Sequence, residues 1–271
     1  MGEAQAQFLI RSRAYENFMQ NESWRGAETR FGYSQDTLKS ELSRILGWLH
    51  SKNIAVSQIA EYGCGTGLHL IDIAKCFPKA RCWGFEPAAN MFEFSVKNVV
   101  ASRSRNIQVL KFAIEDIPEV FEGTFDLSFS ILVAGFVDDL EDYLRRLFQL
   151  AASNSLVYMF EMCVPPGLNR KESAAVRDYF DEVIEAKAPV ASLDHILEIS
   201  KNLGFKIYHR AENSERLASE KARNIHLKKD PRRADQEAAI CLRHGLEPFF
   251  LSSLPLVQQL CFLKPSNQLT A

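Results

Sequence analysis

Apolar residues along this chain fall into two alternating patterns. Short continuous runs have the look of buried strands, and longer segments with apolar residues every three or four positions have the look of one-faced helices. The run Val56, Ile59 and Ala60 ends in Glu61 and is followed by glycine at 63, 65 and 67, after which Leu68 to Lys75 reads as an amphipathic helix. Pro78 breaks the chain, Ala80 to Phe85 forms a second strand ending at Glu86-Pro87, and Ala88 to Val100 a second helix. Asn106 to Phe112, Leu127 to Val133 and Ser155 to Met162 supply three more strands, with a helix over Leu140 to Ala152 between the last two. Ahead of all this, Gln35 to His50 predicts a helix with Leu38, Leu42, Ile45, Leu46 and Leu49 on one face. Strand and helix alternating in this way require an α/β doubly wound sheet, mostly parallel, that binds its ligand at the carboxyl ends of the strands.

Beyond the fifth strand the pattern loosens. Pro165-Pro166-Gly167 opens a connection in which Glu172 to Ala186 reads as an extra helix, carrying Val176, Tyr179, Phe180, Val183 and Ile184. Leu193 to Leu203 is another helix, Gly204 to His209 a sixth strand, and Gln258 to Lys264 a seventh, antiparallel to its neighbours. Between the last two strands, Glu215 to Arg223 and Arg232 to His244 are helical in pattern. No linker composition divides the chain, so 1–271 reads as one domain: an N-terminal lid over 1–33, a core over 35–163, and helical insertions at 165–186 and 211–245.

The glycine turn is where the chemistry concentrates. Glycine at 63, 65 and 67 permits positive φ and removes the Cβ atoms that would keep a ligand off the backbone, and the following helix points its amino terminus at the turn. A nicotinamide dinucleotide fingerprint would need a further glycine where Leu68 stands, which disfavours an oxidoreductase. Glu86, at the tip of the next parallel strand, has the spacing of a carboxylate that accepts hydrogen bonds from both hydroxyls of a ribose. Met91 then lies where it would pack on an adenine ring.

Composition narrows the partners. A formal net charge of −2 gives no overall pull towards nucleic acid or an acidic membrane. The residues between 211 and 245 are locally basic, with Arg216, Lys221, Arg223, Lys228, Lys229, Arg232 and Arg233. Glu215, Glu220, Asp230 and Asp235 interleave with them, as on a solvated helix face, so nucleic acid is not the expected partner. No leader pattern or membrane-length apolar run is present, and a cytoplasmic protein is expected. The six cysteines, at 64, 76, 82, 163, 241 and 261, lack paired spacing and read as reduced thiols; no metal site is expected, since Cys241 and His244 have no second pair.

Taken together, Glu61-Tyr-Gly-Cys-Gly-Thr-Gly, Gly84-Phe-Glu-Pro, Glu115-Asp-Ile-Pro and Thr124-Phe-Asp-Leu resemble the successive motifs of class I S-adenosylmethionine-dependent methyltransferases. The resemblance covers residues 35–163 and implies a seven-stranded Rossmann-like sheet, S-adenosyl-L-methionine as cofactor, and a small-molecule acceptor. It places Glu61, Gly63, Cys64, Gly65, Thr66 and Gly67 against the methionine part of the cofactor, Glu86 and Pro87 at the ribose, and Met91, Ile114, Glu115 and Ser130 around the remainder. The third motif departs from the family pattern, with Phe112-Ala113-Ile114-Glu115 in place of an aspartate-bearing turn. Gly135 and Phe136 stand where many relatives carry polar residues near the acceptor.

For the acceptor pocket, the resemblance and the N-terminal aromatics together nominate Tyr15, Trp24, Phe136, Tyr179 and Phe180 as lining residues. Tyr15, Tyr33 and Glu161, with Asp138 and Asp139, are the available bases. Three other readings stay open. The methionine chain rather than the methyl group is attacked, in an intramolecular cyclisation that releases methylthioadenosine; the acceptor is RNA; or the domain binds a nucleotide without catalysis.

Overall fold

The computed structural model describes residues 35–52, 54–137, 139–182, 191–212, 231–248, 250–251, 254 and 256–265. Within them seven strands form one sheet: β1 Gln58–Tyr62, β2 Arg81–Phe85, β3 Ile107–Leu110, β4 Phe125–Ile131, β5 Ala151–Met162, β6 Lys206–Glu212 and β7 Val257–Lys264. Their order is β3-β2-β1-β4-β5-β7-β6. Neighbouring pairs from β3 through to β5 are parallel, whereas β7 runs antiparallel to both β5 and β6. This is the doubly wound sheet expected, with β7 wedged between β5 and β6.

The helices are α1 Gln35–Ser51, α2 Leu68–Cys76, α3 Ala89–Ser102, α4 Leu140–Leu150, α5 Arg170–Glu182, α6 Leu193–Asn202 and α7 Pro231–Arg243. They cover both faces of the sheet, which is why the central strands are buried on both sides, even where β1 carries Glu61 and β4 carries Ser128 and Ser130. Ile59, Leu127 and Phe129 face one side with Leu38, Leu42 and Ile45 of α1 and Leu70 and Ile73 of α2. Ala60 and Tyr62 face the other with Tyr143 and Leu147 of α4 and Ile196 of α6. Leu46, expected on the buried face of α1, is at its exposed margin, and Trp48 packs inward instead.

Several boundaries differ from the sequence reading for identifiable reasons. β4 stops at Ile131 rather than Val133 because Leu132 turns left-handed, at φ 59°, while its amide still bonds to Phe160 O at 2.7 Å. Helix α4 ends at Leu150 and runs straight into β5, which starts at Ala151 instead of Ser155. Lys264 of β7 closes that junction, its Nζ donating to Phe148 O and Ala151 O at 2.7 Å each. At the far end of the sheet, Asp126 Oδ2 accepts from Ser57 N, Ser57 Oγ and Gln58 N at 2.8, 2.9 and 3.0 Å, fixing the start of β1 against β4.

Helices α5 and α7 pack together in a third cluster with Leu251 and Leu256. Tyr179 and Phe180 are drawn into its interior against Ile240 and Cys241, so packing accounts for their burial. His244 Nε2 and Asp178 Oδ2, 2.7 Å apart, join the two helices at the surface. The lid segment with Tyr15, Trp24 and Tyr33, residue Asp138, the tail of the predicted helix beyond Glu182 and the helix expected over 215–223 lie outside the described residues.

Gly84 shows how tightly β2 is fitted to what lies above it. A Cβ there would stand 2.7 Å from Leu70 Cδ2 and 2.8 Å from Cys64 Sγ. Gly84→Ala is expected to lower the unfolding free energy by about 1–3 kcal/mol through overpacking, read as a reduced denaturant midpoint at unchanged slope. An unchanged midpoint would mean that Leu70 and Cys64 have room to move.

Candidate active site

The carboxyl ends of β1 and β2 are tied together by a turn that only glycine accommodates easily. Gly63, Gly65 and Gly67 all take positive φ, at 63°, 53° and 73°. Gly67 N donates to Cys64 O at 2.8 Å, and Cys64 N donates to Phe85 O at 3.1 Å, so the turn folds over the end of β2. Gly67 is also the N-cap of α2, with no side chain supplying a cap bond. At Gly63 a Cβ would sit 2.7 Å from Val133 Cγ2, so the turn and the segment after β4 are in close contact.

Glu86 closes this structure. Its Oε2 accepts from Gly65 N at 2.8 Å and its Oε1 from Ala88 N at 2.9 Å, bracketing the glycine turn and the start of α3 with one buried carboxyl. Each oxygen retains a lone pair for a further donor. Burial raises this carboxyl to about 7, against the opposing pull of the two amides. Asn98 of α3, which nothing in the sequence motifs singled out, donates from Nδ2 to Thr66 O at 2.9 Å and holds the far side of the turn.

Glu61, at the end of β1, is 2% exposed, and its Oε2 has no hydrogen-bond partner among the described residues. Burial first, then the nearby Glu86 carboxyl, raises Glu61 well above the usual carboxylate range, while the Leu70 amide opposes this. His69 Nδ1 stands 3.7 Å from Glu61 Oε1, but burial lowers this imidazole to about 4, so at neutral pH the approach is not an ion pair.

A second buried carboxyl network lies one strand across. Glu161 Oε1 accepts from Ser130 Oγ at 2.7 Å and Val133 N at 3.1 Å, and Oε2 accepts from Ala134 N at 3.1 Å. Ser130 Oγ is also 2.6 Å from Tyr143 Oη, so this hydroxyl, expected at the cofactor, is committed to the network. Burial raises Glu161 to about 7, opposed by its three donors. Asp139, another candidate base, is the N-cap of α4, where its Oδ1 accepts from Glu141 N and Asp142 N at 2.8 and 3.0 Å.

The remaining expected residues divide by exposure. Met91 is buried at the start of α3, Pro87 is half-buried, Ile114 is buried in the 3₁₀ turn Ile114–Asp116, and Glu115 beside it is exposed. Phe136, in the 3₁₀ turn Ala134–Phe136, is 48% exposed. The sheet edge thus brings together the glycine turn, Glu61, Glu86, Ser130 and Glu161.

These residues fit S-adenosylmethionine. Three Cβ-free positions line the turn, Glu86 has acceptor capacity for a diol, and the unpartnered buried Oε2 of Glu61 is the kind of atom that a ligand's ammonium group satisfies.

Comparison with known proteins agrees. Residues 60–157 match a family model described as a methyltransferase domain. Over 121 residues the chain is 28% identical to the malonyl-(acyl-carrier protein) O-methyltransferase of Bacillus cereus, covering 44% of this chain and 42% of that protein. Among solved structures, the geranyl diphosphate C-methyltransferase of Streptomyces coelicolor A3(2), bound to magnesium, geranyl diphosphate and S-adenosyl-L-homocysteine, superposes with TM-score 0.54 at 15% identity over 76% of this chain and 69% of that one. The phosphoethanolamine N-methyltransferase 2 of Haemonchus contortus, bound to S-adenosyl-L-methionine, superposes with TM-score 0.58 at 15% identity over 78% and 49%. At such identities the superpositions establish the fold. The domain match is confined to residues 60–157, and the chain spans less than half the length of the Bacillus cereus relative it matches.

The buried carboxyls predict a pH signature for the free protein. Glu61, Glu86 and Glu161 bind protons more tightly folded than unfolded, so their contribution is fully present below about pH 4.5; that of Glu86 and Glu161 is lost as pH rises through about 7, and Glu61, also raised, acts in the same direction. His69 opposes them with one proton, losing its contribution as pH falls from 6.5 towards 4. Three groups outweigh one, and the ligand-free melting temperature should fall between pH 5 and pH 7.5. Glu86→Gln should flatten that slope; an unaltered slope would place the titration elsewhere.

Proposed function

We propose that this protein transfers a methyl group from S-adenosylmethionine to a small-molecule acceptor. The observation that carries the reading is the glycine turn bracketed by the buried Glu86 carboxyl, beside an acceptor wall that is apolar from Leu132 to Val137. When bound, the cofactor supplies a sulfonium methyl that is displaced in line. The chain's own part is to bind, align and desolvate. Gly63, Gly65 and Gly67 let the methionine portion lie on backbone, Glu61 faces its ammonium group, and Glu86 accepts from the ribose hydroxyls. Met91 and Ile114 give the adenine ring an apolar seat.

Between residues 132 and 137 no side chain titrates, and two candidate bases among the described residues are occupied: Asp139 as a helix cap and Glu161 by three donors. An acceptor that is already nucleophilic suits such a wall better than one needing a protein base. The acceptors in the names of similar proteins, malonyl-(acyl-carrier protein), geranyl diphosphate and phosphoethanolamine, support a small or tethered acceptor over RNA. Among the described residues no helix is long and apolar enough to cross a membrane.

Two measurements test the reading. Calorimetric titration with S-adenosylhomocysteine should show Glu86→Ala binding roughly 10- to 150-fold more weakly, the effect of losing charge-assisted hydrogen bonds worth about 1.5–3 kcal/mol. Because ribose hydroxyls favour the ionised form of a carboxyl that stands near 7 in the free protein, binding should release a proton below that pH. The dissociation constant should then rise about tenfold per unit of acidification, a dependence that Glu86→Gln removes.

Incubation with S-adenosylmethionine alone, read by mass spectrometry, addresses the reaction. Little turnover is expected until an acceptor is supplied, and S-adenosylhomocysteine once it is. Repeated turnover to methylthioadenosine without acceptor would overturn methyl transfer in favour of intramolecular cyclisation.

A further inference from the structure

We propose that Glu161 is a positioning residue, which sets the acceptor wall against the glycine turn by filling an anion-binding nest in the backbone after β4; the functional part of this rests on the methyl-transfer reading. The register places it there. Ser130 and Ile131 pair with Met159 and Phe160, so Glu161 comes next on β5, opposite the point where β4 stops. At that point Leu132 is left-handed, at φ 59°, and Val133 right-handed, at φ −101° and ψ −36°. Successive left- and right-handed residues turn their amides towards one spot, a concavity that binds anions. Here its occupant is internal: Val133 N and Ala134 N each reach a different oxygen of Glu161 at 3.1 Å.

The left-handed conformation is costly for a branched-chain residue such as leucine, and it persists only where the surroundings hold it. Glu161 supplies that hold, with Ser130 Oγ as a third donor and Tyr143 Oη behind it. What it positions is visible on both sides. Val133 Cγ2 lies where a Cβ on Gly63 would collide, so the side chain beside the clamp rests on the cofactor turn. In the other direction Phe136 N donates to Val133 O at 2.8 Å, so the clamp also sets the 3₁₀ turn that carries the exposed Phe136 ring. With both oxygens accepting, Glu161 is placed to shape the wall rather than to take a proton from an acceptor.

The test uses the full chain and S-adenosylhomocysteine as probe. Glu161→Gln replaces one acceptor oxygen by a donor facing an amide. Amide exchange over 132–136 should quicken at least about tenfold, and the dissociation constant for S-adenosylhomocysteine should rise about fivefold, the scale of one net hydrogen bond passed on through Val133. Adding Leu132→Gly, which takes the left-handed conformation without strain, should restore affinity while exchange stays fast, a rescue that general destabilisation would not show. Val133→Ala, which leaves the carboxyl in place, should weaken binding with exchange unchanged, and it keeps the proposal testable if Glu161→Gln does not fold.

Wild-type exchange rates and affinity in Glu161→Gln would overturn the clamp, as would full affinity in Val133→Ala. If the wild-type protein fails to bind S-adenosylhomocysteine at all, the methyl-transfer reading fails, and the exchange comparison still decides whether Glu161 holds the segment.

Discussion

One buried carboxyl, that of Glu86, accepts an amide from the glycine turn on one oxygen and an amide from the start of α3 on the other. Two consecutive strand-to-helix transitions are thereby referred to a single point at the tip of β2. Without it, a turn of three left-handed glycines would have backbone freedom that its few main-chain bonds do little to restrict. The bonds from Cys64 N to Phe85 O and from Gly67 N to Cys64 O complete the frame, and Asn98 secures its far side. A ligand laid on this turn meets backbone already fixed, which is the structural content of preorganisation.

The same device recurs along the sheet edge. Glu61 and Glu161 stand at the ends of β1 and β5 and Glu86 just past β2, and all three are almost fully buried. Burying a carboxyl is unfavourable unless it is compensated. Glu161 is compensated within the protein by three donors, Glu86 partly by two, and Glu61 retains an oxygen without a partner among the described residues. The three carboxyls therefore differ in how far the protein itself satisfies them, a difference that residue type does not reveal.

What was legible from the chain alone were features written locally. The run into Glu61, the spaced glycines and the apolar period of α2 are each set by neighbours in sequence, and the structure places them as read. Glu86 was legible because a βαβ unit in register fixes the distance between strand tips. What escaped reading depends on partners far along the chain. The end of β4 is decided by Phe160 and Glu161, and the start of β5 by Lys264, more than a hundred residues on. Ser130, Asp139 and Glu161 looked like site chemistry from their types and positions. Their hydrogen-bond partners, Tyr143 and Glu161 for Ser130, the Glu141 and Asp142 amides for Asp139, and the Val133 and Ala134 amides for Glu161, cannot be read from residue type. Tyr179 and Phe180 likewise have the composition of a pocket wall, yet the partner that absorbs them is α7, some sixty residues downstream.

The strand order also bears on how the chain is made. β6 precedes β7 in sequence, yet in the sheet β7 separates it from β5. As the polypeptide emerges, β5 presents an open edge and β6 has nowhere to dock until the residues from Val257 onward arrive. Lys264, which closes the junction of α4 with β5, comes at the far end of β7. A chain shortened before residue 257 would therefore leave the sheet short of two strands rather than one, since β6 would have no neighbour to pair with, and would expose a long edge at β5.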